Sequence, residues 1–178
     1  MTDLPLVWGA TPDERQRAYP ADSLVPDPVL MTRAVSVDAP VEVAWRWLCQ
    51  LAVAPYSYDW IDNRGRRSPR ELTPGADVLE VGQSMVEIFR LTSFDAGHQW
   101  TAITNPRGER LFGPVAVTYA AEPAGAGSRM VCRIVARGGT GIRRAKTYAL
   151  AWGDLVMMRK ELLTLKELAE RSARHPAP

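Results

Sequence analysis

The C-terminal region of the chain decides its fold: residues 151–169 read AWGDLVMMRKELLTLKELA. Apolar residues recur there at steps of three and four, which places their side chains on one face of an α-helix. The members of this stripe are Ala151, Leu155, Met158, Leu162, Leu165 and Ala169. The spacing predicts a long helix from about residue 146 to residue 171. Its apolar face has to be buried against another element of the chain.

The middle of the chain predicts a sheet that could cover this stripe. Extended patterns occupy residues 29–37, 84–94, 98–104, 111–121 and 128–137, with short turns at 95–97, 105–108 and 123–127. Connections this short are typical of antiparallel hairpins. In the last strand Met130, Cys132, Ile134 and Ala136 alternate with Arg129, Arg133 and Arg137. The alternation indicates one covered and one solvated face.

Helices are predicted on either side of the first strand. Thr11 and Pro12 can start a short helix that ends near Arg17, inside a Pro-rich leader whose Trp8, Tyr19, Leu24 and Val25 could attach it to the domain. Asp38-Ala39-Pro40 starts a second helix with one buried face, which Pro55 ends. Residues 56–63 suggest a further short helix. The boundaries are therefore a leader at 1–27, a domain at 28–171 and a frayed tail at 172–178.

This order of elements indicates an α+β fold. A curved antiparallel sheet would wrap around the long C-terminal helix, with two short helices after the first strand. Such a wrap commonly leaves a pocket between the sheet and the helix. Because strands precede one long helix instead of alternating with helices, a parallel βαβ arrangement is excluded.

Composition limits the classes of function. The 178 residues include 46% hydrophobic and 24% charged ones, typical of one ordinary globular domain. A net charge of +2 is too small to predict nucleic acid or membrane as the main partner. We expect no membrane span, because no apolar run is long enough, and no secretory signal, because the N-terminus lacks a basic region. The two cysteines lack the spacing of a metal site or a disulfide framework. We also expect no cofactor and no metal. The expected protein is cytoplasmic, as a monomer or homodimer.

Several segments together resemble the SRPBCC superfamily, also described as START-like, helix-grip or polyketide cyclase/dehydrase-like. They are Val35-Ser36-Val37-Asp38-Ala39-Pro40, Val43-Ala44-Trp45, Tyr58-Asp59-Trp60, Leu79-Glu80-Val81-Gly82 and Met157-Met158-Arg159-Lys160-Glu161-Leu162-Leu163. The resemblance covers residues 28–171, and the leader with Leu24-Val25-Pro26 resembles that of bacterial members. It implies a deep, mostly apolar cavity without universal catalytic residues. Members include ligand carriers, aromatic-polyketide cyclases and unassigned proteins.

One cluster of polar and aromatic residues is a candidate pocket mouth. It consists of Tyr56, Tyr58, Asp59, Trp60 and Asn63. Hydroxyl and carboxylate groups there could orient a carbonyl-bearing ligand. The alternative is a helix-capping Asp among aromatic residues of the core.

Other candidate ligand-binding residues are spread over the sheet and the last helix. Glu87 interrupts an apolar stretch, so if it faces a cavity its pKa would rise and it could act as acid or base; otherwise it is solvated. His98, beside Trp100, could serve as a general base, or lie in a turn. Tyr119 and Trp152 could line the cavity or be structural. Asp59, Glu87 and His98 are thus the catalytic candidates.

Two further motifs have simpler explanations. Gly138-Gly139-Thr140-Gly141 fits neither phosphate-binding fingerprint and suits a sharp turn. The basic loop from Arg64 to Arg70 lacks the interleaved aromatics of a nucleic-acid site.

The leading hypothesis for the function is a binder or carrier of a small hydrophobic molecule, aromatic ones included. The alternatives are a polyketide cyclase or dehydratase using Tyr, Asp, Glu or His, and a protein-interaction module.

Overall fold

A single sheet holds the seven strands found in the described residues of this computed structural model, which are 3–58, 65 and 67–175. The strands are β1 (Val7–Trp8), β2 (Pro28–Val37), β3 (Ser84–Met85), β4 (Phe89–Asp95), β5 (Gln99–Thr104), β6 (Val115–Ala124) and β7 (Gly127–Arg137). Their spatial order is β1-β2-β7-β6-β5-β4-β3. Only the two-residue pairing of β1 with β2 is parallel in this sheet, so the predicted antiparallel architecture is confirmed.

The C-terminal helix lies against the inward face of the sheet. The helices of the described residues are α1 (Pro12–Gln16), α2 (Val41–Cys49), α3 (Pro106–Phe112) and α4 (Gly141–Arg174), with short 3-10 turns at Pro20–Ser23 and Gln50–Ala52. The predicted stripe of α4 is buried, with Ala151, Leu162, Leu165 and Ala169 fully inaccessible. The helix begins earlier than residue 146 and continues past residue 171, to Arg174.

Helix α2 fills the space between α4 and the sheet. Ala44, Trp45, Trp47, Leu48 and Cys49 are all buried, which confirms the predicted apolar face. Trp47 Nε1 donates to Ser172 Oγ at 3.0 Å, and Trp100 Nε1 donates to the Leu48 carbonyl at 3.2 Å. These two bonds satisfy indole donors inside the core, so α2 is fixed to both of its neighbours.

The outward face of the sheet is covered by the leader, which corrects the expectation of a solvated face. Arg133 of β7 points outward but is only 1% exposed. Its guanidinium donates to the carbonyls of Arg15 and Arg17 at 2.8 and 2.9 Å and lies 4.8 Å from the Tyr19 ring centre. Tyr19 and Val25 are buried as predicted, whereas Leu24 stays 37% exposed. The predicted α1 is confirmed, with Thr11 accepting from the Glu14 amide.

Two local predictions in the sheet are wrong. Residues 84–94 form two strands instead of one, because the chain reverses at Val86 and Glu87, where φ is +48° and +59°. The Leu51 carbonyl holds this reversal by accepting from the Val86 amide at 2.8 Å. The predicted turn at 105–108 is the start of α3, with Asn105 as its cap, and β6 begins only at Val115.

Candidate functional site

The interface between α4 and the inward face of the sheet, called the seam below, contains a row of polar and aromatic side chains. Strand register places Arg33 beside Cys132, Cys132 beside Tyr119, and Tyr119 beside Trp100. All four are at most 3% exposed. The Tyr119 and Trp100 rings stack with centres 4.5 Å apart. The row therefore crosses β2, β7, β6 and β5 at one level.

Helix α4 contributes three polar side chains to the same seam. Thr147, Asp154 and Glu161 follow one another at steps of seven residues, which is two helical turns, so they share one side of α4. Thr147 donates to the carbonyl of Arg137 at 3.1 Å. The other two face the polar row. In the seam, α4 thus presents its apolar stripe and, next to that stripe, a line of three polar side chains.

Tyr119 and Glu161 form a buried pair of acidic groups. The Tyr119 hydroxyl donates to Glu161 Oε1 at 2.7 Å, and Glu161 is only 4% exposed. Burial, together with the negative charge of Glu161, holds the pKa of Tyr119 well above its ordinary value. Burial raises the pKa of the Cys132 thiol in the same way. Near neutral pH the phenol is therefore a proton donor in a water-poor environment.

Arg33 and Asp154 form the second polar pair of the seam. Arg33 Nη2 donates to Asp154 Oδ2 at 3.1 Å, and Nη1 donates to the Leu6 carbonyl at 2.7 Å. Burial raises the pKa of Asp154 to about 6, although the guanidinium opposes this rise. Arg33 Nε has no hydrogen-bond partner within the described part of the chain. This donor is buried, since the Arg33 side chain is inaccessible to solvent.

A cleft of about 350 Å³ opens at the end of the seam where α4 begins. Its walls come from the leader, β2, the turn after β7 and the first two turns of α4. The lining residues are Leu6, Val29, Leu30, Gly138, Gly139, Arg144, Thr147 and Tyr148. Leu6 joins the cleft to the polar row, because its carbonyl accepts from Arg33. This volume falls in the range of small-molecule sites.

The glycine at position 138 keeps the floor of the cleft low. A Cβ atom there would lie 2.7 Å from the Asp27 carbonyl oxygen, closer than such atoms approach. The Gly138 amide donates to that same oxygen at 2.7 Å. The glycine-rich segment thus permits the sharp turn into α4, as the sequence suggested, and leaves backbone instead of side chain facing the cleft.

Some predicted site residues lie in or beside the seam. Tyr119 and Trp100 belong to the polar row. Tyr56 is buried and lines a second, smaller cleft of about 90 Å³ together with Arg70 and Lys160. Tyr58 is half-buried. Asp59, Trp60 and Asn63, with most of the short helix predicted at residues 56–63, lie outside the described residues.

Three predicted residues are not in the seam. Glu87 is exposed in the reversal between β3 and β4 and lies 3.5 Å from Arg107, so its side chain does not face an apolar cavity. His98 is exposed in the turn between β4 and β5, 4.0 Å from Asp95. Trp152 is 51% exposed on the outer side of α4. Glu87 lies in a chain reversal, His98 lies in a hairpin turn, and Trp152 lies on the solvent side of a helix. The pattern of apolar residues along the sequence does not show these three positions.

Two further residues of the seam, Glu161 and Arg33, can be identified from their positions in buried periodic patterns. Glu161 lies three residues after Met158 and four before Leu165, two members of the apolar stripe, so its helical position borders the buried face. Arg33 lies between Met31 and Val35 on the inward side of β2. A charged residue within a buried periodic pattern predicts a partner across the interface. In both cases that partner exists.

The described residues contain no group of three His, Cys, Asp or Glu side chains arranged to hold a metal ion. The titratable groups of the polar row and of the α4 side chains that face it are a phenol, two carboxyls, a thiol and a guanidinium. These groups suit orientation of a polar atom, or transfer of a proton, beside an apolar wall.

Comparisons with known proteins establish the fold. The chain is similar to protein MLL2253 from Mesorhizobium loti, with a TM-score of 0.51 and 13% identity over 81% of this chain and 98% of that one. It is also similar to the di-domain ARO/CYC StfQ from the steffimycin biosynthetic pathway, with a TM-score of 0.52 and 16% identity. That match covers 83% of this chain and 52% of StfQ, so the chain spans about half of that protein.

No family model and no curated protein matches the sequence. The likeness to the solved structures concerns the course of the backbone, since both identities are far below 25%. The chain has the helix-grip fold that its resemblance to the SRPBCC superfamily implied.

Proposed function

We propose, from this helix-grip fold and from the cleft at the start of α4, that the chain binds a small hydrophobic molecule at the seam. The observation that carries the proposal is the cleft of about 350 Å³. One of its lining residues, Leu6, accepts a hydrogen bond from Arg33 of the buried polar row. Helix-grip proteins place their ligands between sheet and helix, as the resemblance implies. This chain has its opening at the same interface.

The lining of the cleft defines the class of ligand. Leu6, Val29 and Leu30 supply aliphatic walls, and the Tyr148 ring supplies a flat one. The Arg144 guanidinium lies 5.9 Å from the centre of that ring. An apolar body would be held by burial, at about 25 cal/mol per Å² of apolar area, and an anionic or carbonyl group would meet Arg144. We therefore expect aromatic or aliphatic molecules that carry one such group.

Titration with anilinonaphthalene sulfonate and with aromatic polyketide-like compounds tests this proposal. Saturable binding is expected for the wild type. Leu30→Trp should weaken it at least about tenfold by filling the cleft, and Arg144→Gln should weaken anionic probes more than neutral ones. Leu24→Trp is the matched control, since Leu24 is 37% exposed and Leu30 38%. If Leu30→Trp and Leu24→Trp bind the probes with equal affinity, the cleft is not the binding site.

A second candidate is acid–base catalysis of the cyclase or dehydratase type. The Tyr119–Glu161 pair favours it, because burial keeps the phenol protonated, so that its hydroxyl could turn from Glu161 to donate a hydrogen bond to a carbonyl oxygen. The Glu161 carboxylate could then accept a proton from the substrate. Turnover of a polyketide-like substrate should then be lost in Tyr119→Phe and in Glu161→Gln but kept in Tyr19→Phe, whose buried ring lies on the outward face. Saturable binding without turnover would leave the carrier function alone.

A further inference from the structure

The first half of α4 is apolar on its outer side as well as on its buried side. Between residues 145 and 157 the charged residues are Lys146 and Asp154 alone, and Asp154 is paired with Arg33. The large apolar residues of this segment that stay exposed are Tyr148 (37%), Leu150 (38%), Trp152 (51%) and Val156 (54%). Thirteen residues of helix are about 20 Å long. A helix that is apolar all round is normally covered on all sides.

Three of these exposed side chains share one surface of the helix, called the α4 patch below. Tyr148, Trp152 and Val156 are spaced by four residues, so they lie on one face. Ala145, Ala149 and Gly153 are also exposed and lie next to them on the helix. A Cβ atom added at Gly153 would meet no other atom within 4 Å. Nothing in the described chain therefore packs on this side of the helix at Gly153.

The stretch of sequence that contains the α4 patch is predominantly basic. From residue 137 to residue 160 the sequence contains six basic residues and one acidic residue, Asp154. The basic ones are Arg137, Arg143, Arg144, Lys146, Arg159 and Lys160. The net charge of +2 for the whole chain conceals this local excess, because acidic residues lie elsewhere. An apolar helical surface bordered by cations and carrying Trp and Tyr has the composition of an interfacial membrane helix.

We infer that the α4 patch docks onto an anionic lipid surface. Trp152, Tyr148 and Val156 would enter the boundary between headgroups and acyl chains, and the surrounding cations would meet lipid phosphates. No helix in the described part of the chain has the length and apolar character to cross a membrane, so the helix would lie on the bilayer. Pairing of two patches from two copies is disfavoured, because it would bring basic groups together.

This inference goes beyond ligand binding and does not depend on it. The two features nevertheless meet on the same helical turns, since Arg144, Thr147 and Tyr148 also line the cleft. A bilayer at the patch would lie at the mouth of the cleft. An apolar molecule could then pass between lipid and protein with little exposure to water.

Co-sedimentation of the full chain with vesicles tests the docking. We expect binding to phosphatidylcholine vesicles that contain about 30% phosphatidylglycerol, and at least about tenfold weaker binding to phosphatidylcholine alone. Raising NaCl from about 50 mM to about 500 mM should weaken binding to the anionic vesicles. Equal binding to both vesicle types, or binding to neither, would overturn the inference.

Variants locate the contact. The double variant Trp152→Gln with Val156→Gln should reduce binding to anionic vesicles at least about tenfold, and Lys146→Glu several-fold. The matched controls lie on α3: Leu111→Gln with Phe112→Gln, where the side chains are 62% and 44% exposed, and Arg110→Glu. These controls should bind as the wild type does. All substituted side chains are exposed, so thermal unfolding should be nearly unchanged.

Size-exclusion chromatography with light scattering tests whether a second copy of the chain, instead of a lipid surface, covers the α4 patch. If the wild type forms a dimer that the Trp152→Gln, Val156→Gln variant loses, while vesicle binding is unaffected, the patch joins two copies and the lipid inference is wrong. A monomer whose vesicle binding is lost in this variant and kept in the α3 controls supports the inference. Loss of vesicle binding in the α3 controls to the same extent would also contradict it.

Discussion

Asp154 and Glu161 lie two turns apart on one side of α4, but the sheet gives them different partners. Asp154 meets the Arg33 guanidinium, whereas Glu161 accepts from the Tyr119 hydroxyl. The Arg33 side chain is fully buried, while 27% of the Asp154 side chain is exposed. Because solvent reaches one member of the ion pair, its charge state can respond to pH without unfolding of the seam.

The pH dependence of stability should therefore carry a signature of Asp154. Burial raises its pKa to about 6 in the folded chain, compared with about 3.9 when unfolded. Between these values the folded state holds more protons at this site than the unfolded state does. The contribution of Asp154 to stability is thus fully present below about pH 4 and is lost as pH rises through about 6.

Urea unfolding from about pH 4 to about pH 7 measures this effect. Asp154→Asn should remove the decline, so the difference in unfolding free energy between wild type and variant should change steadily across this window. Asp77→Asn, at an exposed acid beside Arg46, serves as the control. A constant difference over the whole range would show that Asp154 keeps an ordinary pKa.

At the scale of elements, α2 connects the helix layer to the sheet. Its Leu48 side chain is fully buried and its carbonyl accepts from the Trp100 indole. Removing the side chain leaves a cavity among residues already fixed on both sides. Leu48→Ala should therefore cost about 2–5 kcal/mol of unfolding free energy, measured by denaturant unfolding.

Val53, which is 44% exposed just after this helix, provides the comparison. Val53→Ala should change the unfolding free energy by less than about 0.5 kcal/mol, since an exposed side chain loses little contact. If Leu48→Ala unfolds at the wild-type urea midpoint, Leu48 does not belong to the core.

The success of sequence prediction differed between elements for physical reasons. Helices α2 and α4 and strands β2 and β7 bury long periodic faces, and periodicity is the strongest signal in a sequence. The reversal at Val86 and Glu87 has no such signal, because neither residue favours a positive φ. By contrast, Asn105 followed by Pro106 is a helix start that could have predicted α3.

The seam could be predicted only in part. Alternation along β6 places Tyr119 on the inward face, yet its partner Glu161 lies 42 positions away on another element. Which residues pair across the seam depends on the angle at which α4 crosses the strands. The spacing of residues along the chain does not specify this crossing angle. His98 and Glu87 are candidates by residue type alone, and residue type does not show whether a side chain points inward.

At the scale of the whole molecule, the leader makes the outward face of the sheet a second interior. Glu14 accepts from Arg129 Nε and Nη2 at 2.8 and 2.7 Å, and Arg133 donates to backbone carbonyls of the leader. Tyr19 packs on the Arg133 guanidinium. Two arginines of β7 thus hold the leader, in addition to the pairing of β1 with β2 and the buried side chains of Ala21 and Val25. Its attachment should be separable from the stability of the domain.

Arg133→Met should release the leader while the domain stays folded. The variant keeps an apolar side chain over the sheet, but the carbonyls of Arg15 and Arg17 lose their buried donor, and an unpaired buried carbonyl is costly. Local opening should then expose those two residues to trypsin, and the initial rate of cleavage after them should rise at least about tenfold. Arg137→Met is the matched control, since it changes an exposed arginine on the same strand. Mass spectrometry of the fragments measures cleavage after Arg15 and after Arg17 in each variant. Equal cleavage of the two variants, or loss of the cooperative thermal transition in Arg133→Met alone, would show that leader and domain unfold as one unit.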